Sequence, residues 1–364
     1  MSKGSRNGRV TITDVAKRSG VSTATAARAL GDYGSVGGGT RDRVRTVAAE
    51  LGYRPNRLAR SMIKGTTQTL GVVLADIENP FFYRALAGMT DTARRRGFDV
   101  VLVNTDEDDA LEDQALSTLV ERQVDGLIIC PTNDGDSTYL KQVVASELPV
   151  VLLDRPRPDV ATDMVGLDNI GAAAEATRHL LAHGHTRIAI VTGGNPSVLP
   201  RLRRTGMKGV EKIAVTTLGD RAAGYRDALV AAGVPLRPEY LSAGGFHRDD
   251  AAAATKELMA LPEPPTAVLA FDSVLSLGVL VGLRDLGLRC PDDVSVVGFD
   301  DADWAEVVSP PLTVFSQPVY EIGVKACELL LDGVEGQQRD PAEHRLQGRL
   351  IERASVGAPR PAAP

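Results

Sequence analysis

The chain has little with which to do covalent, metal or membrane chemistry. Its 364 residues include three cysteines, Cys130, Cys290 and Cys327, scattered and without a CxxC pair. That spacing gives neither a disulfide framework nor a structural zinc set, and it fits a reducing compartment. Aromatic residues make up 4% of the chain, so its cores must be built from Val, Leu, Ile and Ala. No apolar run approaches the length needed to span a bilayer. The polar, basic N-terminus has no apolar stretch of the kind a secretory signal requires. The expectation is a soluble, cytoplasmic protein with no membrane partner. There is no GxxxxGK[ST] phosphate loop, no GxSxG elbow and no HExxH, so neither an enzyme nor a resident cofactor is expected. Gly193-Gly194 has no GxGxxG around it and supports no dinucleotide site. His179, His183 and His185 cluster at a predicted helix end before Gly184, where His suits the helix dipole. No nearby carboxylate or Cys completes a metal set, and none is expected.

What the chain does have begins at residues 9–30, RVTITDVAKRSGVSTATAARAL. Thr11 stands three residues before Asp14, the pattern that closes a helix N-terminus. Ile12, Val15 and Ala16 fall on one helical face. Gly20 can take the positive φ that ends a first helix, and Ser22 is a good N-cap for a second from about Thr23 to Leu30. Two short helices around a Gly turn fit either an αα-hairpin within a bundle or the helix-turn-helix of DNA readers. Charge favours the second. Residues 1–65 carry a formal charge of +9 and the remaining 299 residues −15, so a basic head is joined to an acidic body. Counterion release draws such a head to phosphate. A third helix is expected over Arg41–Leu51, capped by Thr40 and stopped by Gly52. Residues 53–65, YRPNRLARSMIKG, read as a basic linker able to become helical on docking.

From Thr69 the pattern becomes short β-branched runs alternating with helical stretches. Strands are predicted at Leu70–Leu74, Val100–Val103, Gly126–Cys130, Val150–Leu153, Ile188–Val191, Ala267–Ala270 and Val294–Gly298. Helices are predicted at Tyr83–Arg96, Ala172–Leu181, Ala222–Ala232, Asp249–Met259 and Ser273–Leu286. Apolar strands interleaved with amphipathic helices imply parallel sheets covered on both faces, an α/β class. The series is long enough for two doubly wound units that change near Asn169. Stacked units leave a cleft at the carboxyl ends of their strands, where small ligands bind. Polar and aromatic residues follow those strands: Phe81-Phe82, Asp154-Arg155 and Phe299-Asp300-Asp301. Adjacent aromatics offer a sugar ring a flat face or plug the sheet top. An Asp beside an Arg suits ligand hydroxyls or forms a surface ion pair.

TITDVAKRSGVSTATAARAL, YRPNRLARSM, the NPFF loop and SVVGFDD with PPLTVFSQP together resemble the lactose/galactose repressor (LacI/GalR) family of bacterial regulators, from about Val10 to Ser355. The resemblance implies a three-helix head over residues 1–54 and a hinge over 55–66. It implies one effector-binding subdomain over 67–168 with about 319–343, a second over 169–318 with about 344–358, and a tail at 359–364. The core then looks like periplasmic sugar-binding proteins. Carried over by position, Thr23, Ala24 and Arg28 would meet base edges, and Thr11, Ser22 and Thr25 would hold phosphates. In the hinge, Asn56, Arg57 and Ala59 would contact DNA, and Met62 would wedge into a central base step, as apolar side chains do in the minor groove. Phe81, Phe82, Asp154, Arg155, Arg221, Asp300 and Gln317 would surround a sugar-like effector. Phe271 stands where relatives place a ligand-bonding Asn, and so implies a less hydroxylated or stacked ligand at that edge. Other departures are Ala26-Ala27, Gly37-Gly38-Gly39, and about twenty extra residues before Arg221 that carry Arg201, Arg203, Arg204 and Lys208. The implied protein is a homodimeric repressor on a pseudo-palindromic operator. The alternative is a cytoplasmic solute-binding or sugar-sensing protein on the same core.

Overall fold

The computed structural model describes residues 10–31, 34–53, 65–132, 138–194 and 216–360, with Ser197, Leu199, Pro200, Thr205 and Gly209 between the last two segments. Asn56, Arg57, Ala59 and Met62 of the hinge lie outside the described residues, as do Arg201, Arg203, Arg204 and Lys208. The chain divides into two compact units, one up to Gln68 and one from Thr69 onward.

The first unit is a trio of helices, α1 (Ile12–Ser19), α2 (Thr23–Gly31) and α3 (Gly38–Glu50). At the start of α1 the Thr11 hydroxyl accepts the Asp14 N–H, and the Asp14 carboxylate accepts the Thr11 N–H at 2.9 Å. Two N–H groups that a helix start leaves orphaned are thereby satisfied. The helix ends at Gly20, whose φ of 68° would strain any residue with a Cβ. The next N–H, from Val21, returns to the Ala16 carbonyl. The third helix begins at Gly38, not Arg41, so Thr40 sits inside its first turn, and Gly37 precedes it without a side-chain cap. Val15, Ala16, Ala26, Ala29, Val44 and Ala48 are buried together where the three helices cross.

The second unit holds two sheets. The first contains β1 (Thr69–Leu74), β2 (Asp99–Asn104), β3 (Gly126–Ile129), β4 (Val150–Leu153), β5 (Asp163–Leu167) and β11 (Glu343–Leu346). Its order is β11-β5-β4-β3-β1-β2, parallel throughout. The second contains β6 (Ile188–Gly193), β7 (Leu241–Gly244), β8 (Ala267–Ala270), β9 (Ser295–Phe299), β10 (Thr313–Ser316) and β12 (Arg349–Ile351). Its order is β12-β10-β9-β8-β6-β7, with β12 alone antiparallel. Helices α4 (Pro80–Arg95), α5 (Asp109–Glu121), α6 (Thr138–Ala145) and α11 (Val319–Val334) pack with the first sheet. Helices α7 (Asn169–Ala182), α8 (Thr216–Ala231), α9 (Arg248–Met259) and α10 (Ser273–Asp285) pack with the second.

Both orders reverse beside their first strand, at β3-β1-β2 and β8-β6-β7, which opens a crevice at the carboxyl ends. The chain passes between sheets after Leu167, after Ser316 and after Leu346. His344, Arg345 and Leu346 pair with β5, so they belong to the first half and not the second. Among the described residues, no helix is long and apolar enough to cross a membrane.

Candidate nucleic-acid interface and ligand cleft

On the head, the sequence of α2 decides what faces outward. Ala26 and Ala29 turn into the core, which leaves Thr23, Ala24 and Arg28 exposed on the other side. The Ser22 hydroxyl accepts the Thr25 N–H at 3.1 Å and lies 2.9 Å from the Thr25 hydroxyl. Thr11 and Ser22 are exposed and Thr25 half-buried, so these hydroxyls close helix starts while two of them still face solvent. A helix N-terminus flanked by hydroxyls favours a phosphate, and an exposed Arg on the same helix can fork onto a base edge.

In the second unit, strand ends from both sheets meet around one cavity of about 60 Å³. Asp76, Phe81 and Phe82 reach it from the segment after β1, Glu107 from after β2, and Asp154 and Arg155 from after β4. Thr217, Leu218 and Arg221 of α8 line it from the second half, with Phe246, Asp272, Asp300 and Gln317 from the ends of β7 to β10. Glu107, Asp154 and Asp300 have φ of 59°, 64° and 66°. Side chains rarely adopt that region, and such strain gathers at functional sites.

Arg155 is committed to its own half. Its Nη1 and Nη2 each donate to the Glu107 carboxylate at 2.7 Å, and Nη1 also donates to the carbonyls of Pro131 and Thr132. The buried Arg155 Nε has no partner, nor has Asp154 Oδ1 or Gln317 Oε1. The Gln317 amide donates to Asp300 at 2.7 Å. Burial pushes the Asp154 and Asp300 carboxyls above the usual range against the pull of Arg221. Burial also lifts Asp272, to about 7, although it caps α10 through the Leu275 N–H at 2.7 Å.

The structure brings seven of the eight sequence-named cleft residues to this cavity and corrects the eighth. Phe271 does not line it. Its ring is fully buried, 6.0 Å from the Phe299 centroid, because odd and even residues at the end of β8 face opposite ways. Asp272, the next residue, faces the cavity instead. Arg221 lies within α8, one residue before the helix start expected at Ala222. Phe81 and Phe82 meet edge to face at 5.2 Å, and both line the cavity while packing in the first core. Sequence reasoning missed Glu107 and Asp272, though both follow expected strands. It also missed Phe246, which follows the unrecognised β7. A Cβ at Gly193 would strike the Phe246 ring, so that glycine makes room for an aromatic cleft wall.

His185 is buried and bonds the side chains of Thr266 and Ser295 and the Gly357 carbonyl at 2.9–3.0 Å, which ties down the C-terminal segment. Among the described residues, no three His, Cys, Asp or Glu side chains are arranged so as to hold a metal ion.

Comparison with known proteins agrees with both units. Residues 11–56 match the family described as bacterial regulatory proteins, lacI family. Residues 67–354 match periplasmic binding proteins and the sugar-binding domain of the LacI family. The HTH-type transcriptional repressor CytR of Escherichia coli K12 is 32% identical over 96% of each chain. A solved complex of the transcriptional regulator CelR with cellobiose is 30% identical, with a TM-score of 0.69 over 95% of this chain and all of that one. The lac repressor dimer bound to operator and an anti-inducer is 25% identical, with a TM-score of 0.81 over 96% of this chain and all of that one.

Proposed function

The chain belongs to the LacI family of bacterial regulatory proteins, and we propose that it represses transcription as a homodimer on a pseudo-palindromic operator. A small hydroxyl-rich effector in the cleft between the two sheets sets its hold on that operator. The observation that carries this reading is a single chain pairing an exposed α2 face, Thr23, Ala24 and Arg28, with a cleft whose buried Asp154 and Gln317 oxygens have no partner in the protein. Buried polar atoms are normally satisfied, so such oxygens favour a ligand that donates to them.

In this reading Arg28 reads a base, Thr11, Ser22 and Thr25 hold phosphates, and Asn56, Arg57, Ala59 and Met62 dock in the minor groove between half-sites. One short helix reads only a few base pairs, so specificity needs two heads on a symmetric site. In this reading the protein acts in the cytoplasm, where its operator lies. CelR with cellobiose and the lac repressor on its operator support the effector class and the dimer. An effector gripped by both halves changes their spacing, and by linkage effector and operator alter each other's affinity equally.

The test is selection of duplexes from a random pool, followed by anisotropy titration with and without sugars. The expected result is a palindromic consensus, steep salt dependence and a sugar that shifts operator affinity. Enrichment of no sequence, with sugar binding intact, would favour the solute-binding alternative.

A further inference from the structure

Arg28 stands on α2 among short side chains. Its neighbours one turn away, Ala24, Thr25 and Gly31, give a long side chain nothing to lean on. Its guanidinium forms no hydrogen bond or ion pair with the described residues. The stem is nonetheless held. Gly34, in the turn after the helix, lies beneath it: a Cβ at that glycine would stand 3.1 Å from the Arg28 Cδ and 3.6 Å from its Cγ.

The backbone at Gly34 has a φ of 71°, a region that side chains rarely adopt. That geometry alone does not bring a side chain against it. Gly20 and Gly52 of the same helical trio have φ of 68° and 64°, and a Cβ on either would meet nothing within 4 Å. Gly37, Gly38 and Gly39 are equally open. The close approach is therefore particular to Gly34 and Arg28. Any residue with a Cβ at 34 must push the Arg28 stem aside by a few tenths of an ångström or shift the turn.

Resting on the reading that Arg28 meets a base edge, we infer that Gly34 is a positioning residue for base recognition. Its bare Cα lets the Arg28 methylenes lie along the turn and so sets where the guanidinium points. An exposed Arg samples many rotamers, and a two-bonded contact with guanine accepts few of them. A stem braced on one side has fewer rotamers to lose on binding, which favours the matched base. Moving the stem alters the aim of the fork and leaves its charge in place. Discrimination between bases should therefore suffer more than attraction to phosphate.

The test is selection of duplexes from a random pool, read as base preference at each position of the enriched site. It compares the full chain with Gly34→Ala, Gly34→Asn, Arg28→Ala and the Arg28→Ala, Gly34→Asn double variant. Asn tolerates a left-handed backbone better than Ala, so Gly34→Asn introduces the Cβ with less strain in the turn. The positions at which Arg28→Ala relaxes preference are those that Arg28 reads. There Gly34→Asn should lower discrimination roughly 3–10-fold, and elsewhere by less than about 2-fold. Gly34→Ala should show the same positional pattern with weaker binding to every duplex. In the Arg28→Ala background Gly34→Asn should change nothing further, because two residues acting through one contact are not additive. Full discrimination in Gly34→Asn, or an equal loss with and without Arg28, would overturn the inference. An Arg28→Ala protein that relaxes no position would instead overturn the base-reading role beneath it, and leave Gly34 nothing to position.

Discussion

The guanidinium of Arg221 lies over the ring of Phe299, 4.3 Å from its centroid. Its Nε donates to Asn169 at 2.8 Å and its Nη1 to the Phe271 carbonyl. These contacts join α8, the start of α7 and the ends of β8 and β9, so Arg221 organises its half of the cleft as well as facing the cavity. Removing it strands two buried acceptors, each worth about 1–3 kcal/mol, beside carboxylates that lose their counter-charge. Arg221→Ala should lose effector response and also about 2–4 kcal/mol of stability. Urea denaturation of parent and variant checks this. Equal midpoints would show that these bonds add nothing to the fold.

Phe271 leads to a different expectation from the one its position in the sequence suggests. Its ring is fully buried against Phe299, so Phe271→Asn would put an amide in the second core and leave space around it. The expected outcome is a loss of about 3–5 kcal/mol with no gain of ligand contacts. Thermal unfolding beside a sugar-specificity panel separates the effects. A stable variant with broadened specificity would restore Phe271 to the cleft.

The sequence was legible where local physics was strong. Val150–Leu153 and Ala267–Ala270 were readable to the residue because apolar runs bounded by turn residues allow little else. Asp163–Leu167 and Leu241–Gly244 were not, since DMVGL opens on a charge and LSAG is built from small residues. Glu343–Leu346 is an edge strand whose alternating exposure comes only from pairing with β5. At the site, the strand-end carboxylates Asp154 and Asp300 were visible in advance, whereas Glu107 and Asp272 were not. The commitment of Arg155 to Glu107, 48 residues away in sequence, spans the ends of β4, β3, β1 and β2 along one edge, which only the assembled sheet brings together.

Asp272 makes stability depend on pH. Burial raises it to about 7 from an ordinary value near 3.8. Between those values the folded state binds more protons than the unfolded one, so stability falls as pH rises. This group's contribution is largest below pH ~4 and lost above pH ~7, a decline of about 4 kcal/mol from this group alone. Asp272→Asn keeps an oxygen to cap α10 and should flatten that slope. Melting temperatures across this range test it, and parallel curves for the two proteins would count against the assignment.

Arg28 is an exposed long basic side chain on the outward face of α2. If it forks onto a guanine, Arg28→Ala should cost about 1–3 kcal/mol on the preferred site and relax one symmetric pair of positions. On random duplexes the loss should be much smaller. Equal losses on both would reduce Arg28 to a phosphate contact.

Arg84 links the halves of the core without being part of the cavity lining. It projects from α4 beside the first sheet, yet its Nη1 donates to the Asp301 carbonyl at 2.8 Å and its Nη2 to the Asp303 carboxylate, both after β9 of the second. Asp303 is exposed, so water competes for this pair and its worth is below about 1 kcal/mol. That is too little to hold the fold but enough to bias an equilibrium between open and closed clefts. A ligand gripped by Asp154 of one half and Asp272 or Asp300 of the other needs the closed arrangement, and its apparent affinity scales with the closed fraction. Arg84→Ala should therefore weaken effector binding by about 2–5-fold while leaving the melting temperature nearly unchanged. If effector and operator are coupled as proposed, operator affinity should shift in the same variant without effector. Calorimetry with the effector, operator titration and the radius of gyration from solution scattering measure the three consequences on one sample. A larger radius with unchanged effector affinity would mean that closure is not what the ligand selects, and the coupling would have to run through the cleft side chains alone.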